Sequence, residues 1–300
     1  FIDGRYTKQV KEEVDRKFFI IKHLNDYWSH LETYRNKIKN VSLDPHLHSI
    51  NEVKKIKKIF SIKNTSIKIL KKNPIDLFWT DQPQSPNSQA FLHPLKFTGK
   101  NSLIKINKIQ KKLKIHNIKY YLLTSLDSIA WILNLRGGDI KYTPLFFSYV
   151  IIPQQGKIEL FIDKTKLKHL INKVSKTINI HSLNDIENYL SILDSNKNIA
   201  FDEDSTTYHF KIICKKNNLN TKHFENPCLN LKSIKNHIEI NGAIEANIRD
   251  GVSVTNFLYW LKNKIIIKKV NEIKAANYLF NLRKKNNLFH SSAFETISAF

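Results

Sequence analysis

The chain has 300 residues, 41% of them hydrophobic and 11% aromatic, which suits two or more folded domains and excludes a disordered chain. Its longest apolar run, Leu145 to Ile152, has the length of a strand and is too short to span a membrane. The formal net charge is +23, yet only six of the 49 basic residues are arginine. We therefore interpret lysine runs such as Lys54 to Lys58 and Lys105 to Lys112 as solvated helix faces and expect no nucleic-acid site.

The cysteine content and the first residue bear on the origin of the chain. Cys214 and Cys228 are the only cysteines, which gives no disulfide framework and favours a reducing, cytoplasmic compartment. The chain begins at Phe1 and has no methionine. We therefore expect a fragment of a longer protein, and whether a targeting segment precedes it stays open.

Strands and helices alternate in the first 73 residues. The predicted strands are Phe1 to Asp3, Phe18 to Leu24, Val41 to Asp44 and Ser66 to Leu70, and the predicted helices are Thr7 to Val14, Tyr27 to Lys37 and Ser49 to Phe60. Prolines then indicate a linker, residues 74–99. Its apolar residues, such as Leu77, Phe78 and Trp79, are expected to pack across a domain junction.

The next part of the chain repeats this order after four additional elements. The additional elements are a helix from Ser102 to His116, a strand from Lys119 to Thr124, an apolar helix within Ser125 to Ile140 that breaks into a turn at Asn134, and the strand from Leu145 to Ile152. The repeated elements are Phe161 to Asp163, Thr165 to Val174, Ile178 to Leu183, Asp185 to Leu193 with Asn184 as N-cap, Ile199 to Asp202, Thr206 to Lys215 and Lys222 to Phe224. The offset stays at about 153 to 160 positions. The first copy would then lack its beginning and leave an exposed sheet edge, which predicts poor solubility in isolation.

The pattern changes after Pro227. An amphipathic helix is predicted from Ser233 to Lys262, a second helix from Glu272 to Lys285 with Asn271 as N-cap, and a strand from Ala293 to Phe300. We therefore expect an α/β protein. Residues 1–73 are half of a first domain, residues 74–99 a linker, residues 100–230 a second, related domain, and residues 231–300 the start of a third.

The residue spacings contain no complete active site. No HExxH motif or cysteine pair near histidine indicates zinc. The acidic run from Asp202 to Asp204 follows a strand and precedes a helix, so turn formation and capping explain it better than metal binding. Arg136, Gly137 and Gly138 do not make a phosphate loop. The turn from Asn134 to Asp139 is nevertheless distinctive, because it places charges and glycines directly after a buried helix.

Several short blocks, in order, carry a resemblance to a known family. They are Phe1 to Gln9, Asn73 to Asp76, Trp79 to Pro83, Leu126 to Ile140, Pro144 to Tyr149, Ile234 to Asn236 with Glu239, Arg249 to Gly251, and Phe294 to Ser298. Over essentially its whole length the chain resembles the long, three-domain form of aminopeptidase P (Xaa-Pro aminopeptidase). That resemblance implies two creatinase-N-terminal-like α/β domains followed by a pita-bread catalytic domain.

The resemblance also implies a reaction. Such enzymes remove the N-terminal residue that precedes proline in a peptide, and two divalent ions, usually manganese, hold the attacking hydroxide. The family's metal ligands and catalytic histidines all fall after the strand at which this chain stops, so none is carried over. We therefore expect the chain alone to be inactive and metal-free, and the full-length protein to be a cytoplasmic homodimer.

Six residues are candidate cleft or interdomain residues. We hypothesise that Arg136 and Asp139, with Asn134 in the same turn, make polar contacts near the cleft, and that Arg5 does likewise in the first copy. The alternative is a salt bridge that locks the turn. By family position only, Thr296 and Ser298 line the wall of the substrate pocket.

Two other classes of function remain open. The chain could belong to a non-catalytic pita-bread scaffold whose downstream metal ligands have become a partner-binding surface. It could also be a basic, polyanion-binding protein, which steeply salt-dependent DNA binding would reveal.

Overall fold

The computed structural model describes residues 1–61, 65–265 and 270–298. The chain divides into two compact units, one made of residues 1–82 and 203–212 and the other of residues 83–202 and 213–300. In these described ranges no helix is long and apolar enough to cross a bilayer.

The first unit contains a small parallel sheet covered by a helix. Its elements are α1 (Gln9–Glu13), α2 (Tyr27–Tyr34), β1 (Asn40–Leu43), α3 (Ile50–Ile59) and β2 (Ser66–Ile69). Strands β1 and β2 pair in register from Asn40 with Ser66 to Leu43 with Ile69. Helix α3 begins with a capping box between Ser49 and Glu52 and buries an isoleucine-rich face against this sheet.

The strands predicted at the start of the chain are wrong. Instead of strands over Phe1 to Asp3 and Phe18 to Leu24, the structure has one isolated parallel bridge between Ile2 and His23. Phe18 and Ile20 are each 79% exposed. A continuous ladder needs a neighbouring strand, and the described residues of this unit provide none beside this bridge. The apolar linker residues Leu77 and Phe78 are likewise exposed rather than packed.

The second unit contains most of the regular structure. Its strands are β3 (Phe91–Leu92), β4 (Tyr120–Leu123), β5 (Leu135–Arg136), β6 (Ser148–Pro153), β7 (Ile158–Ile162), β8 (Ile178–His181), β9 (Asn198–Phe201) and β10 (Asn220–His223). Its helices are α4 (Leu95–Thr98), α5 (Ser102–Ile115), α6 (Leu126–Leu133), α7 (Ile171–Val174), α8 (Ile186–Ser191), α9 (Tyr208–Lys216), α10 (Cys228–Ser233), α11 (His237–Ile265) and α12 (Glu272–Lys284). Helix α9 crosses the division between the units.

Six strands form the central mixed sheet of the second unit, in the order β10-β9-β4-β6-β7-β8. The pairs β4–β6 and β6–β7 are antiparallel, and the other three pairs are parallel. Every residue of β7 is buried, as expected for a strand covered on both faces. The α/β class predicted from the sequence is confirmed. The order β1-α3-β2 recurs as β9-α9-β10, again with parallel strands.

Helix boundaries in the second unit differ from the sequence prediction at several points. The helix predicted from Thr165 to Val174 is divided into a 3-10 turn (Lys164–Leu167) and α7. Asn184 is not a helix cap, because it lies inside a 3-10 turn (Leu183–Asp185). Asp185 accepts a hydrogen bond from the Ser182 amide (3.1 Å). Ser182, and not Asn184, is therefore the N-cap of this segment.

The C-terminal part of the unit is a pair of long helices. Helix α11 begins at His237 rather than at Ser233, and Arg283 of α12 forms a two-bond ion pair with Asp250 of α11 (2.6 and 3.0 Å). The strand predicted from Ala293 is not formed over residues 293–298, which do not pair with any described strand. Ala299 and Phe300 lie outside the described residues.

Candidate functional site

The distinctive turn begins where helix α6 ends. Five of the eight residues of α6 are buried: Ser128, Ile129, Ala130, Ile132 and Leu133. Its C-cap, Asn134, has φ 53° and ψ 36° in the left-handed region, which asparagine tolerates better than most residues. The chain therefore reverses sharply at Asn134 and enters β5.

Asn134 is the centre of a buried polar network. Its side-chain Nδ2 donates to the carbonyl oxygen of Lys100 (2.9 Å), and its Oδ1 accepts from Lys105 Nζ (2.6 Å). Lys105 also donates to the carbonyl oxygen of Trp131 (2.9 Å). Burial lowers the pKa of Lys105 to about 8, although Glu239 acts in the opposite direction. The network joins the start of α5 to the end of α6.

Lys105 corrects the interpretation of the lysine run. Its place in the lysine run predicts a solvated helix face, but Lys105 is 3% exposed. Lys105 shares the face of α5 that carries Ile106, Ile109 and Leu113, while Lys108 lies on the outer face. Lys105, Ile109 and Leu113 are spaced four residues apart, as residues on one helix face are. This spacing is a signal in the sequence that could have identified Lys105 as buried.

Arg136 is held by carbonyl oxygens at the end of α6. Its Nη1 donates to the carbonyl oxygens of Ala130 (2.7 Å) and Leu135 (2.9 Å). A cation at the C-terminus of a helix is favourable for the helix dipole. Burial lowers the pKa of Arg136, with Glu239 opposing. Burial, then Arg136 and Lys105, also lower the pKa of the neighbouring His93.

Asp139 is a buried carboxylate with four donors. Its Oδ1 accepts from the amide (3.1 Å) and hydroxyl (2.7 Å) of Ser88, and its Oδ2 from the amide of Phe147 (2.8 Å) and from Lys166 Nζ. Burial alone would raise the pKa of Asp139, but the hydrogen bonds from Lys166, Phe147 and Ser88 together keep it below its usual value. Ser88 and Lys166 are 51 and 27 positions away in sequence, so no spacing could reveal these two partners.

Gly137 permits a close approach within the turn. A Cβ on Gly137 would lie 2.8 Å from the Cβ of Phe146. The amide of Gly138 donates to the hydroxyl of Ser88 (2.7 Å). The structure therefore brings together Asn134, Arg136 and Asp139 in one turn. Their side chains form hydrogen bonds with other residues of the second unit, which is the arrangement expected if these side chains stabilise the turn.

The other three candidate residues lie elsewhere. Arg5, in the first unit, pairs with Asp3 at an exposed position (Nη2 to Oδ2, 2.8 Å). Thr296 and Ser298 are exposed in the irregular segment after α12. That segment approaches the loop after Asp139, because Glu295 accepts a weak hydrogen bond from Lys141 (3.4 Å).

The acidic run and the histidines do not form a metal site. Among residues 1–61, 65–265 and 270–298, no three His, Cys, Asp or Glu side chains converge as metal ligands would. Asp202 accepts from the amide of Asn226 (3.0 Å), and Glu203 is paired with Lys54 and Lys211. The described residues therefore do not fit a dinuclear metal centre.

A family model gives the class of the chain. The model described as "Creatinase/Prolidase N-terminal domain" matches residues 81–239, more than half of the 300 residues. The chain belongs to this family. The match covers the central sheet, the turn from Asn134 to Asp139 and the first residues of α11.

Individual relatives extend the similarity to nearly the whole chain. "Probable Xaa-Pro aminopeptidase P" of Ajellomyces dermatitidis is 29% identical over 319 aligned positions, 99% of this chain and 51% of the relative. The protein of the same name from Paracoccidioides lutzii is also 29% identical, over 99% of this chain and 51% of its own length. The chain therefore spans about half the length of these relatives.

A solved structure shares the fold. The X-prolyl aminopeptidase of Caenorhabditis elegans, described as a cytosolic enzyme with a di-nuclear active site, matches 99% of this chain and 50% of its own, with a TM-score of 0.87. The sequences are 23% identical, so this likeness concerns the fold alone.

Proposed function

We propose that the chain is the N-terminal and middle part of a metal-dependent Xaa-Pro aminopeptidase, which hydrolyses the N-terminal residue from peptides with proline in the second position. The observation that carries the proposal is the alignment over 99% of the chain with relatives of that name. It includes both compact units and the helices α11 and α12, so the likeness is not limited to a shared domain.

The metal centre belongs, in this proposal, to residues outside those described. The proposed enzyme uses two divalent ions, Mn²⁺ by family resemblance, which supply an activated water. The dinuclear description of the worm enzyme supports two ions. The described residues contribute the two compact units, including α11 and α12, as a scaffold for the catalytic part.

Three residue roles accompany the proposal. Asn134, Arg136 and Asp139 shape the edge of the cleft by holding their turn rigid, and Arg5 acts at the corresponding place in the first unit. Thr296 and Ser298, both exposed, offer hydroxyl groups to the substrate pocket. Arg136→Ala with unchanged stability and lost turnover would support a direct role, whereas lost stability would support the locked turn.

A paired-peptide assay tests the activity. The protein encoded by the whole reading frame is incubated with Lys-Pro-Ala and, as control, Lys-Ala-Ala, and free lysine is measured by chromatography. We expect release from Lys-Pro-Ala only, loss of activity with a chelator, and recovery with Mn²⁺ better than with Zn²⁺. A folded protein that releases lysine from neither peptide with any divalent ion would overturn the proposal and favour the scaffold alternative.

Two further proposals concern assembly and compartment. We propose a homodimer, which sedimentation equilibrium measures directly. We also propose a reducing, cytoplasmic compartment, which the free and buried thiols of Cys214 and Cys228 support. Burial raises the pKa of both thiols to about 12, so both behave as core residues rather than nucleophiles.

A further inference from the structure

The turn after α4 depends on a glycine for two reasons. Gly99 has φ +63°, in the left-handed region. A Cβ built on it would lie 2.5 Å from Asn236 Oδ1 and 2.9 Å from Asn236 Cγ. Any larger residue would therefore be strained and would also push Asn236 away.

Asn236 joins this turn to the start of α11. Its Oδ1 accepts hydrogen bonds from the amides of Ile238 (3.0 Å) and Glu239 (3.1 Å), so it caps the helix. Its Nδ2 donates to the carbonyl oxygen of Thr98 (3.0 Å) and to Glu239 Oε2 (2.9 Å). One amide side chain thus both caps α11 and links it to the turn that contains Gly99.

The turn that contains Gly99 is itself held by hydrogen bonds to the central domain. Asn134 Nδ2 donates to the carbonyl oxygen of Lys100, directly after Gly99, and Lys105 holds the Asn134 amide from the other side. Thr98 is 3% exposed. A continuous path of hydrogen bonds therefore runs from α5 and α6 of the central domain, through the turn, to the first residues of α11.

We propose that Gly99 and Asn236 form a latch, the Gly99–Asn236 latch, which fixes the direction in which α11 leaves the central sheet domain. With 29 residues, α11 is about 43 Å long, so a tilt of about 10° at its start moves its far end by about 7.5 Å. This inference rests on the proposed function. In the proposed enzyme, Gly99 and Asn236 are positioning residues, because they set where the catalytic part lies relative to the domain before it.

Distances between two spin labels test the latch without any substrate. Lys111→Cys on α5 and Lys262→Cys near the end of α11 carry the labels, and both positions are exposed. Cys214 and Cys228 are buried, so they do not react under native conditions. We expect a narrow distance distribution in the parent protein and one broadened or shifted by several ångströms in Asn236→Asp.

Asn236→Asp separates the latch from simple capping. Aspartate keeps the acceptor that caps α11, but it loses the Nδ2 donor to Thr98 and turns an oxygen toward that carbonyl. Because Nδ2 also donates to Glu239 Oε2 (2.9 Å), Asn236→Asp is compared with the parent in a Glu239→Gln background, where no second carboxylate repels it. If Asn236 acts only as a cap, Asn236→Asp keeps the narrow distribution, and this result would overturn the proposal.

Gly99→Ala provides an independent test with a matched control. Gly156 also has a left-handed φ (+92°), but a Cβ there meets nothing within 4 Å. We expect Gly99→Ala to broaden the label distribution and Gly156→Ala to leave it narrow. Asn236→Ala removes the three atoms nearest to the new Cβ, so Gly99→Ala should destabilise the protein less in that background than in the parent. Equal effects in both backgrounds would refute the contact.

The latch and the proposed function can fail separately. The label distances are measured on the protein whether or not it cleaves peptides. An inactive protein in the paired-peptide assay, combined with distances that respond to Asn236→Asp, would reject the peptidase and support the latch. Should Gly99→Ala fail to fold, Asn236→Asp alone decides.

Discussion

Removing the carboxylate of Asp139 should destabilise the second unit strongly. The side chains of Asp139 and Lys166 are 0% and 4% exposed. Asp139→Ala would leave the Lys166 ammonium with the carbonyl oxygen of Pro86 (2.8 Å) but without its counter-ion. Removing one partner of a buried ion pair typically costs about 3–5 kcal/mol. The amides of Ser88 and Phe147 would also lose their acceptor, which places the expected loss near the top of that range.

Urea unfolding followed by far-UV circular dichroism measures this loss. Asp194→Ala is the matched control, because Asp194 is an exposed aspartate that accepts a backbone hydrogen bond from Asn196 (3.0 Å) in a turn. It should change the free energy of unfolding by less than about 1 kcal/mol. Asp139→Ala combined with Lys166→Met should recover part of the loss, since no uncompensated charge remains buried. A loss below 1 kcal/mol for Asp139→Ala, equal to the control, would refute the reasoning.

The pKa of Lys105 is lowered to about 8 from 10.5. Between these two values the unfolded state therefore binds more protons than the folded state. The free energy of unfolding of the parent, relative to that of Lys105→Met, should rise from about pH 8 to 10.5, by at most about 1.4 kcal/mol per pH unit. Chemical unfolding at several pH values measures this difference. The thiols of Cys214 and Cys228, whose pKa burial raises to about 12, should react with a thiol reagent at pH 8 only after urea is added. Ser49→Ala removes the acceptor for the amide of Glu52 (3.1 Å) and should cost about 1 kcal/mol in urea unfolding.

Each of these three predictions has an outcome that contradicts it. A pH-independent difference between the parent and Lys105→Met would mean that Lys105 keeps an ordinary pKa. Rapid labelling of either cysteine in the native protein would contradict its burial. Ser29→Ala, a change at an exposed serine in α2, is the control for Ser49→Ala, and equal effects of the two would refute the capping argument.

The sequence by itself determined the α/β class, most element positions in the second unit and the family resemblance. Local physics accounts for this success. The apolar spacing of α3 and the cap at Asn271 depend on neighbours within four residues, so both can be predicted from a short window.

Apart from the burial of Lys105, which its spacing signals, only the tertiary structure decided which polar residues are buried and what they contact. Asp139 meets Ser88 and Lys166, 51 and 27 positions away, and Asn236 meets Thr98, 138 positions away. Long-range partners leave no periodic signal, because the fold and not the spacing brings them together. The predicted strands at the start of the chain failed for the same reason: a strand exists through its neighbour, and the described residues beside Ile2 supply only a bridge.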